Sequence, residues 1–375
     1  MPTTRRSFLA GAGVAGGLSA LPLSGLSAAT AAAAEPDFGP KIGQALLSRN
    51  ENPYGPAPSA LRAISETAKM GCYYNDRGHA KLTAMIAERF GVSATQVVIG
   101  EGSTEVLCAA ALAWGRKGAI LCPDLFWDTT VLYGERQGVK AIRVPMSADM
   151  GVDLTAMAAA VDDRIAMVQI CNPNNPTGIL IPPSDLKAFV TKTAPKATVL
   201  VDEAYNELTD RPEDNSMIDL VRAGADVIVC RTFSKIYGMA GLRVGYAITS
   251  EKNAALIRSH QMSFGGNLGG LAAAIASFND TPFLEQSRAA VLEGRQMIVD
   301  AVSKAGLKAL PSQTNFVFVM VPDANALRDA MAARGIAIRG AYGSLNGYSR
   351  VSTGKLEDVA RYAAALPELS AKLWA

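Results

Sequence analysis

Ile165-Ala166-Met167-Val168-Gln169-Ile170 runs into Cys171-Asn172-Pro173-Asn174-Asn175-Pro176-Thr177-Gly178, an apolar stretch that stops at a polar loop holding two prolines. A short continuous apolar run bounded by turn residues suits a strand buried on both faces. The arrangement recurs twice downstream. Thr198–Val201 leads into Asp202-Glu203-Ala204-Tyr205, and Val227–Cys230 leads into Arg231-Thr232-Phe233-Ser234-Lys235. Buried strands that alternate with helical stretches predict an α/β fold, a mostly parallel sheet sandwiched by helices. In such a sheet, ligands sit beyond the carboxyl ends of the strands. All three polar clusters fall at such ends.

Working outward, helical periodicity fits His79–Phe90, and Gln96–Ile99 reads as a strand. Gly102-Ser103-Thr104 opens an apolar helix that continues to Trp114, and Ala119–Cys122 and Ala141–Val144 read as further strands. The pattern changes after Gly265-Gly266. A long charged helix over Phe283–Lys304 is followed by Asn315–Met320 (strand), Ala324–Arg334 (helix), Ile336–Ile338 and Tyr348–Ser352 (strands) and Leu356–Leu366 (helix). This predicts an arm at 35–60, a large domain at 61–264 and a smaller α+β domain at 265–375.

Residues 1–34 read differently. Arg5 and Arg6 are the only charges before Glu35, and an uncharged run rich in Ala, Gly and Leu follows, with Ala32 and Ala34 at a small-residue cleavage site. This is the layout of a signal peptide. Arg5-Arg6 followed by Ser7-Phe8-Leu9 resembles a twin-arginine export signal, which places the mature protein in the periplasm or outside the cell. An N-terminal membrane anchor is the alternative, weakened by the glycines in the run.

With 375 residues, 49% of them hydrophobic and 19% charged, the chain has globular composition, and disorder is excluded. A formal net charge of +2 gives no basic excess for nucleic acid. Two histidines, His79 and His260, far apart in sequence, argue against a zinc site, and five cysteines without C-x-x-C spacing argue against a metal or disulfide framework.

The chemistry-bearing candidates lie at the strand ends. A lysine at 235, desolvated near a sheet edge, has a lowered pKa and a free amine for Schiff-base formation. Ser234 and Arg243 are placed to hold an anion, as are Ser103 and Thr104 at a helix start with free N–H groups. Asp202 ends a buried strand and needs a partner, for which a protonated ring nitrogen would serve. Glu203 reads as its surface-facing neighbour. The two prolines present Asn175 with little entropy cost. Arg350, on a strand of the smaller domain, has the fork geometry to grip a carboxylate.

The order and spacing of these segments carry more than any one of them. Asn175 to Asp202 is 27 residues, Asp202 to Lys235 is 33 and Lys235 to Arg243 is 8. GSTE, NPNNPTG, VDEAY, SK and GLRVGY, in that order, resemble the class I/II aminotransferases of fold type I, which use pyridoxal 5′-phosphate. The opening NENPYGP (Asn50–Pro56) and the tail GIAIRG…YSRVSTG are similar to the histidinol-phosphate aminotransferase branch. The resemblance covers nearly the whole chain after the leader. It implies that Lys235 forms a Schiff base with the cofactor and then acts as base. Asp202 pairs with the ring nitrogen, Asn175 and Tyr205 with the phenolic oxygen, and Phe126 stacks on the ring. Ser103, Thr104, Ser234 and Arg243 bind the phosphate, joined by Tyr74 from a neighbouring subunit, which implies a homodimer. Arg350 holds the substrate carboxylate, with Tyr54 and Arg339 near the side chain. Two departures stand out: Tyr73-Tyr74-Asn75-Asp76 lacks the family's proline after tyrosine, and Trp127 follows Phe126 where the family has a smaller residue.

The expected function is transfer of an amino group between an amino acid, or a histidinol-phosphate-like amine, and a 2-oxo acid. A decarboxylase, lyase, racemase or cyclase on the same fold would use the same lysine. A periplasmic binding protein on an α/β scaffold would need no desolvated amine beside a phosphate cradle. The identity of donor and acceptor stays open.

Overall fold

The structure is a computed structural model and describes residues 37–374. The leader read from the sequence at 1–34 lies outside the described residues. The strands are β1 (Ala45–Leu46), β2 (Val97–Glu101), β3 (Ala119–Pro123), β4 (Ala141–Val144), β5 (Ile165–Cys171), β6 (Thr198–Asp202), β7 (Val227–Thr232), β8 (Val244–Ile248), β9 (Lys308–Ala309), β10 (Phe316–Met320), β11 (Ile336–Ala337) and β12 (Tyr348–Ser352). The α-helices are α1 (Pro58–Thr67), α2 (Asp76–Phe90), α3 (Gly102–Gly115), α4 (Thr129–Arg136), α5 (Leu154–Ala159), α6 (Pro183–Thr193), α7 (Ile218–Arg222), α8 (Glu251–Arg258), α9 (Leu268–Ser277), α10 (Thr281–Lys304), α11 (Ala324–Ala332) and α12 (Leu356–Trp374).

Seven strands form one sheet in the order β2-β8-β7-β6-β5-β3-β4. All neighbours are parallel except β8, which runs antiparallel to β7 and β2. The sheet is apolar on both faces because its strands alternate between two cores. Val199 and Val201 of β6 and Val227 and Val229 of β7 pack into one. Leu200, Ile228 and Cys230 pack into the other, against Val106, Leu107 and Ala110 of α3. Period-two alternation with an apolar residue at every step is what a strand covered on both sides requires. Each fully buried aliphatic side chain contributes about 1.5–3 kcal/mol over its exposed state.

A three-stranded antiparallel sheet, β12-β10-β9, carries its own core. Val317, Val319 and Val351 meet Ile298 of α10, Leu327 of α11 and Tyr362 of α12. Ala45 and Leu47 of the arm join this core, and β1 pairs in parallel with β11. The helix α9, which the sequence reading assigns to the smaller domain, instead packs Leu271, Ala273 and Ala274 into the core of the seven-stranded sheet.

Helix ends follow local chemistry. Asp323 caps α11 by accepting from Ala326 N at 2.8 Å, Pro58 opens α1, and Gly91 closes α2 with φ +61°. The register β5–β6–β7 aligns Cys171, Asp202 and Cys230, so the three polar strand ends open at one edge.

Candidate active site

At that edge lies a cavity of about 520 Å³. Its walls include Ser103, Thr104, Phe126, Asn175, Asp202, Tyr205, Ser234, Lys235, Arg243, Arg339 and Arg350, together with Asn50, Trp127 and Tyr342. Segments spread over 300 residues of sequence, from Asn50 to Arg350, thus converge, delivered by strand ends, by the arm and by the small sheet.

Lys235 follows β7. Its Nζ donates to the backbone oxygen of Asn50 at 3.2 Å and lies 5.5 Å from the Tyr205 ring centre. Burial, helped by the Arg350 charge, pulls its pKa down to about 8. That raises the neutral fraction at pH 7 by about 300-fold over an ordinary lysine, to about a tenth of the molecules. Asp202 ends β6 at 4% exposure, and burial pushes its pKa up to about 7. Its Oδ1 is buried with no partner. A bare buried carboxylate oxygen is costly, and a cationic N–H is what would satisfy it.

Tyr205 is buried, with its ring edge-on to Phe316 at 5.3 Å. Its hydroxyl accepts from Asn175 Nδ2 at 3.2 Å and from Asn50 Nδ2 at 3.1 Å. Asn175 Oδ1 accepts from Arg350 Nη1 at 2.7 Å, and Arg350 Nη2 donates to Ser48 O at 2.8 Å. Arg350 is buried, yet its Nε has no partner. Desolvation holds its pKa below the ordinary arginine value. Asn174 Nδ2 donates to Leu125 O at 3.1 Å, tying the NPNNPTG loop to the Phe126 segment.

On the opposite wall Arg243 gathers an anion cradle. Its Nη1 donates to Ser234 Oγ at 3.2 Å, and its Nη2 reaches Thr104 Oγ1 at 3.4 Å, beside the N-terminus of α3. Two glycines make this approach possible. A Cβ on Gly102, at φ +68°, would lie 2.1 Å from Arg243 Nη2, and one on Gly245 would lie 2.1 Å from Ser103 N. GSTE and GLRVGY are therefore two halves of one structure.

Two sequence candidates lie outside this cavity. The Tyr54 hydroxyl accepts from Leu356 N at 2.9 Å, at the start of α12. Tyr74 is 76% exposed, packs its ring at a tilt against Phe264 with centroids 4.9 Å apart, and lines a neighbouring cavity of about 420 Å³ that shares Arg243. Glu203 does face away from the cavity, but it is not at the surface. It is fully buried, and its Oε2 accepts from Arg231 Nη2 at 2.8 Å. Asn50 went unassigned in the sequence, although NENPYGP contains it. Its role depends on contacts with residues 155 to 302 positions away.

A lowered lysine, an unpartnered buried aspartate and an arginine–hydroxyl cradle at a helix N-terminus fit pyridoxal phosphate in amine reactivity, ring-nitrogen pairing and phosphate binding. Residues 42–366 match the family model described as aminotransferase class I and II. The chain belongs to the class I and II aminotransferases. It is a pyridoxal-phosphate-dependent transaminase of fold type I. It is 37% identical over 328 residues to histidinol-phosphate aminotransferase 2 of Ralstonia nicotianae, covering 85% of this chain and 87% of the relative. It is 34% identical to histidinol-phosphate aminotransferase of Brevibacillus brevis, covering 86% and 89%. Among solved structures, it resembles histidinol-phosphate aminotransferase from Sinorhizobium meliloti in complex with pyridoxal-5′-phosphate. That match has a TM-score of 0.79 and 32% identity, covering 88% of this chain and 91% of the other.

Proposed function

We propose that this transaminase exchanges the amino group of an amino acid, or of a histidinol-phosphate-like amine, with a 2-oxo acid, using Lys235 as its covalent anchor and base. The observation that carries this is the Lys235 amine, held near pKa 8 in one cavity with an unpartnered Asp202 oxygen and a buried Arg350. When bound, pyridoxal phosphate supplies a ring that stabilises negative charge on the substrate carbon losing its proton, which no side chain does. The chain supplies the rest. Asp202 Oδ1 is the acceptor for the proton on the ring nitrogen. Arg243, Ser234, Thr104 and the N–H groups opening α3 hold the phosphate. Tyr205 and Asn175 present hydrogen-bonding groups to the phenolic oxygen, and Phe126 supplies an apolar wall. Lys235 moves the proton at the substrate α-carbon. Arg350 has an unsatisfied Nε to offer a carboxylate, and the exposed Arg339 stands at the mouth, where the substrate side chain enters.

Homodimerisation and export belong to the same proposal. Exposed Tyr74, Met262 and Phe264 form an apolar surface near Arg243, which suits a second copy of the chain. Light scattering that finds a monomer with full activity refutes the dimer. The Arg5-Arg6 leader supports export, and fractionation that leaves the protein in the cytoplasm refutes it. Among the described residues, no helix is long and apolar enough to cross a membrane, and no His/Cys/Asp/Glu group could hold a metal ion. Steady-state assays with paired donors and 2-oxo acids test the reaction. Consumption of the amino acid without amination of any acceptor would favour another reaction on the same fold.

A further inference from the structure

Asn50 lies in the arm, is 2% exposed and adopts φ +56°, a left-handed conformation that asparagine tolerates better than most residues. Its backbone N–H donates to Ser352 Oγ at 2.9 Å, and Ser352 Oγ donates to Asn50 Oδ1 at 2.6 Å. A serine hydroxyl has one proton, and here it is committed to Oδ1. The amide is therefore locked with its oxygen toward Ser352 and its Nδ2 toward the Tyr205 hydroxyl. Asn175 is locked in the same way, because its Oδ1 receives Arg350 Nη1 and leaves Nδ2 for Tyr205.

A phenolic hydroxyl accepts two hydrogen bonds and donates one. The Asn50 and Asn175 amides fill both acceptor positions, so the Tyr205 proton must leave in the remaining direction, and Tyr205 lines the cavity. We infer that Asn50 is a positioning residue that makes Tyr205 an obligate hydrogen-bond donor toward the cavity, under the control of Ser352 on the small sheet. The same residue's carbonyl receives Lys235 Nζ and, at 2.9 Å, Asn315 Nδ2, so the turn at Asn50 couples the two strand-end groups to the small sheet.

The inference deepens the cofactor assignment and rests on it. Its test is a pH titration of the visible band of the reconstituted holoenzyme. Asn50→Gly removes the amide, keeps the carbonyl and accepts the positive φ without strain. A cofactor oxygen that loses a well-aimed donor becomes more basic, so the midpoint of the band should rise by about 0.5–1 pH unit. Ser352→Ala should shift it the same way by less. Both shifts should vanish in a Tyr205→Phe background, because the effect runs through the phenolic proton. An unchanged midpoint in Asn50→Gly, or an equal shift with and without the Tyr205 hydroxyl, overturns the inference while leaving the cofactor assignment standing. Absence of any visible band in the wild type overturns the cofactor assignment and this inference with it.

Discussion

Replacing Gly102 with alanine perturbs the anion cradle without replacing any residue that binds the phosphate through its side chain. The new Cβ would stand 2.1 Å from Arg243 Nη2 and 2.7 Å from Cζ, so the guanidinium must move. Moving it breaks the bonds to Ser234 Oγ and Thr104 Oγ1 and removes the charge from its place beside α3. A hydrogen bond to a charged group contributes about 1.5–3 kcal/mol, and the left-handed φ of +68° costs alanine about a further 1–2 kcal/mol. The backbone cost falls on folding, and the lost charge contact falls on cofactor binding. The dissociation constant of pyridoxal phosphate should therefore rise by about 10–150-fold. Titration of the apoenzyme, followed by the visible band, measures it. The double variant Gly102→Ala/Arg243→Ala should bind no more weakly than Arg243→Ala alone. An affinity within twofold of wild type, or full additivity in the double variant, would refute the reasoning.

Glu203→Ala should destabilise the fold by about 1.5–3 kcal/mol, because it leaves the buried Arg231 with Glu207 as its remaining carboxylate and removes the acceptor of Ser216 Oγ and Met217 N; a loss under 1 kcal/mol in urea denaturation would refute this. Asp202, with a folded pKa of about 7 against an ordinary value near 4, holds its proton in the folded apoenzyme where the unfolded chain has lost it. Apoenzyme stability should accordingly fall as pH rises from 4 to 7, by up to about 4 kcal/mol from this group, and Asp202→Asn should flatten that slope. Parallel slopes would count against it. Arg350→Ala should lower kcat/KM for carboxylate-bearing donors and acceptors alike by about 10–150-fold and leave the Lys235-bound cofactor in place. A change under threefold would remove Arg350 from carboxylate binding.

The sheet was legible because its strands are apolar at every position and stop at polar clusters. The buried strand ends Cys171, Asp202 and Thr232 themselves line the cavity. The strand β8 was harder to see. Val244–Ile248 begins inside the GLRVGY motif, with no turn long enough to separate a phosphate-binding loop from the antiparallel strand. The helix α9 follows two glycines but returns to the first core, a packing decision that its own composition does not encode. Lys235, Asp202, Asn175, Arg243 and Arg350 could be picked out because strand position and residue type constrain their chemistry. Asn50 and the burial of Glu203 could not. The first acts through partners far away in sequence, and the second is buried only because Arg231, one strand over, comes to meet it.

The measurement that tests the central claim most directly is the visible spectrum of the purified protein with added pyridoxal phosphate, for wild type and Lys235→Ala, titrated with an amino donor and then a 2-oxo acid. The account predicts a lysine-dependent band in the wild type that the donor converts to the amine form of the cofactor and the oxo acid restores, and no such band in Lys235→Ala. An identical band in the two proteins, or a band that no donor converts, would contradict it.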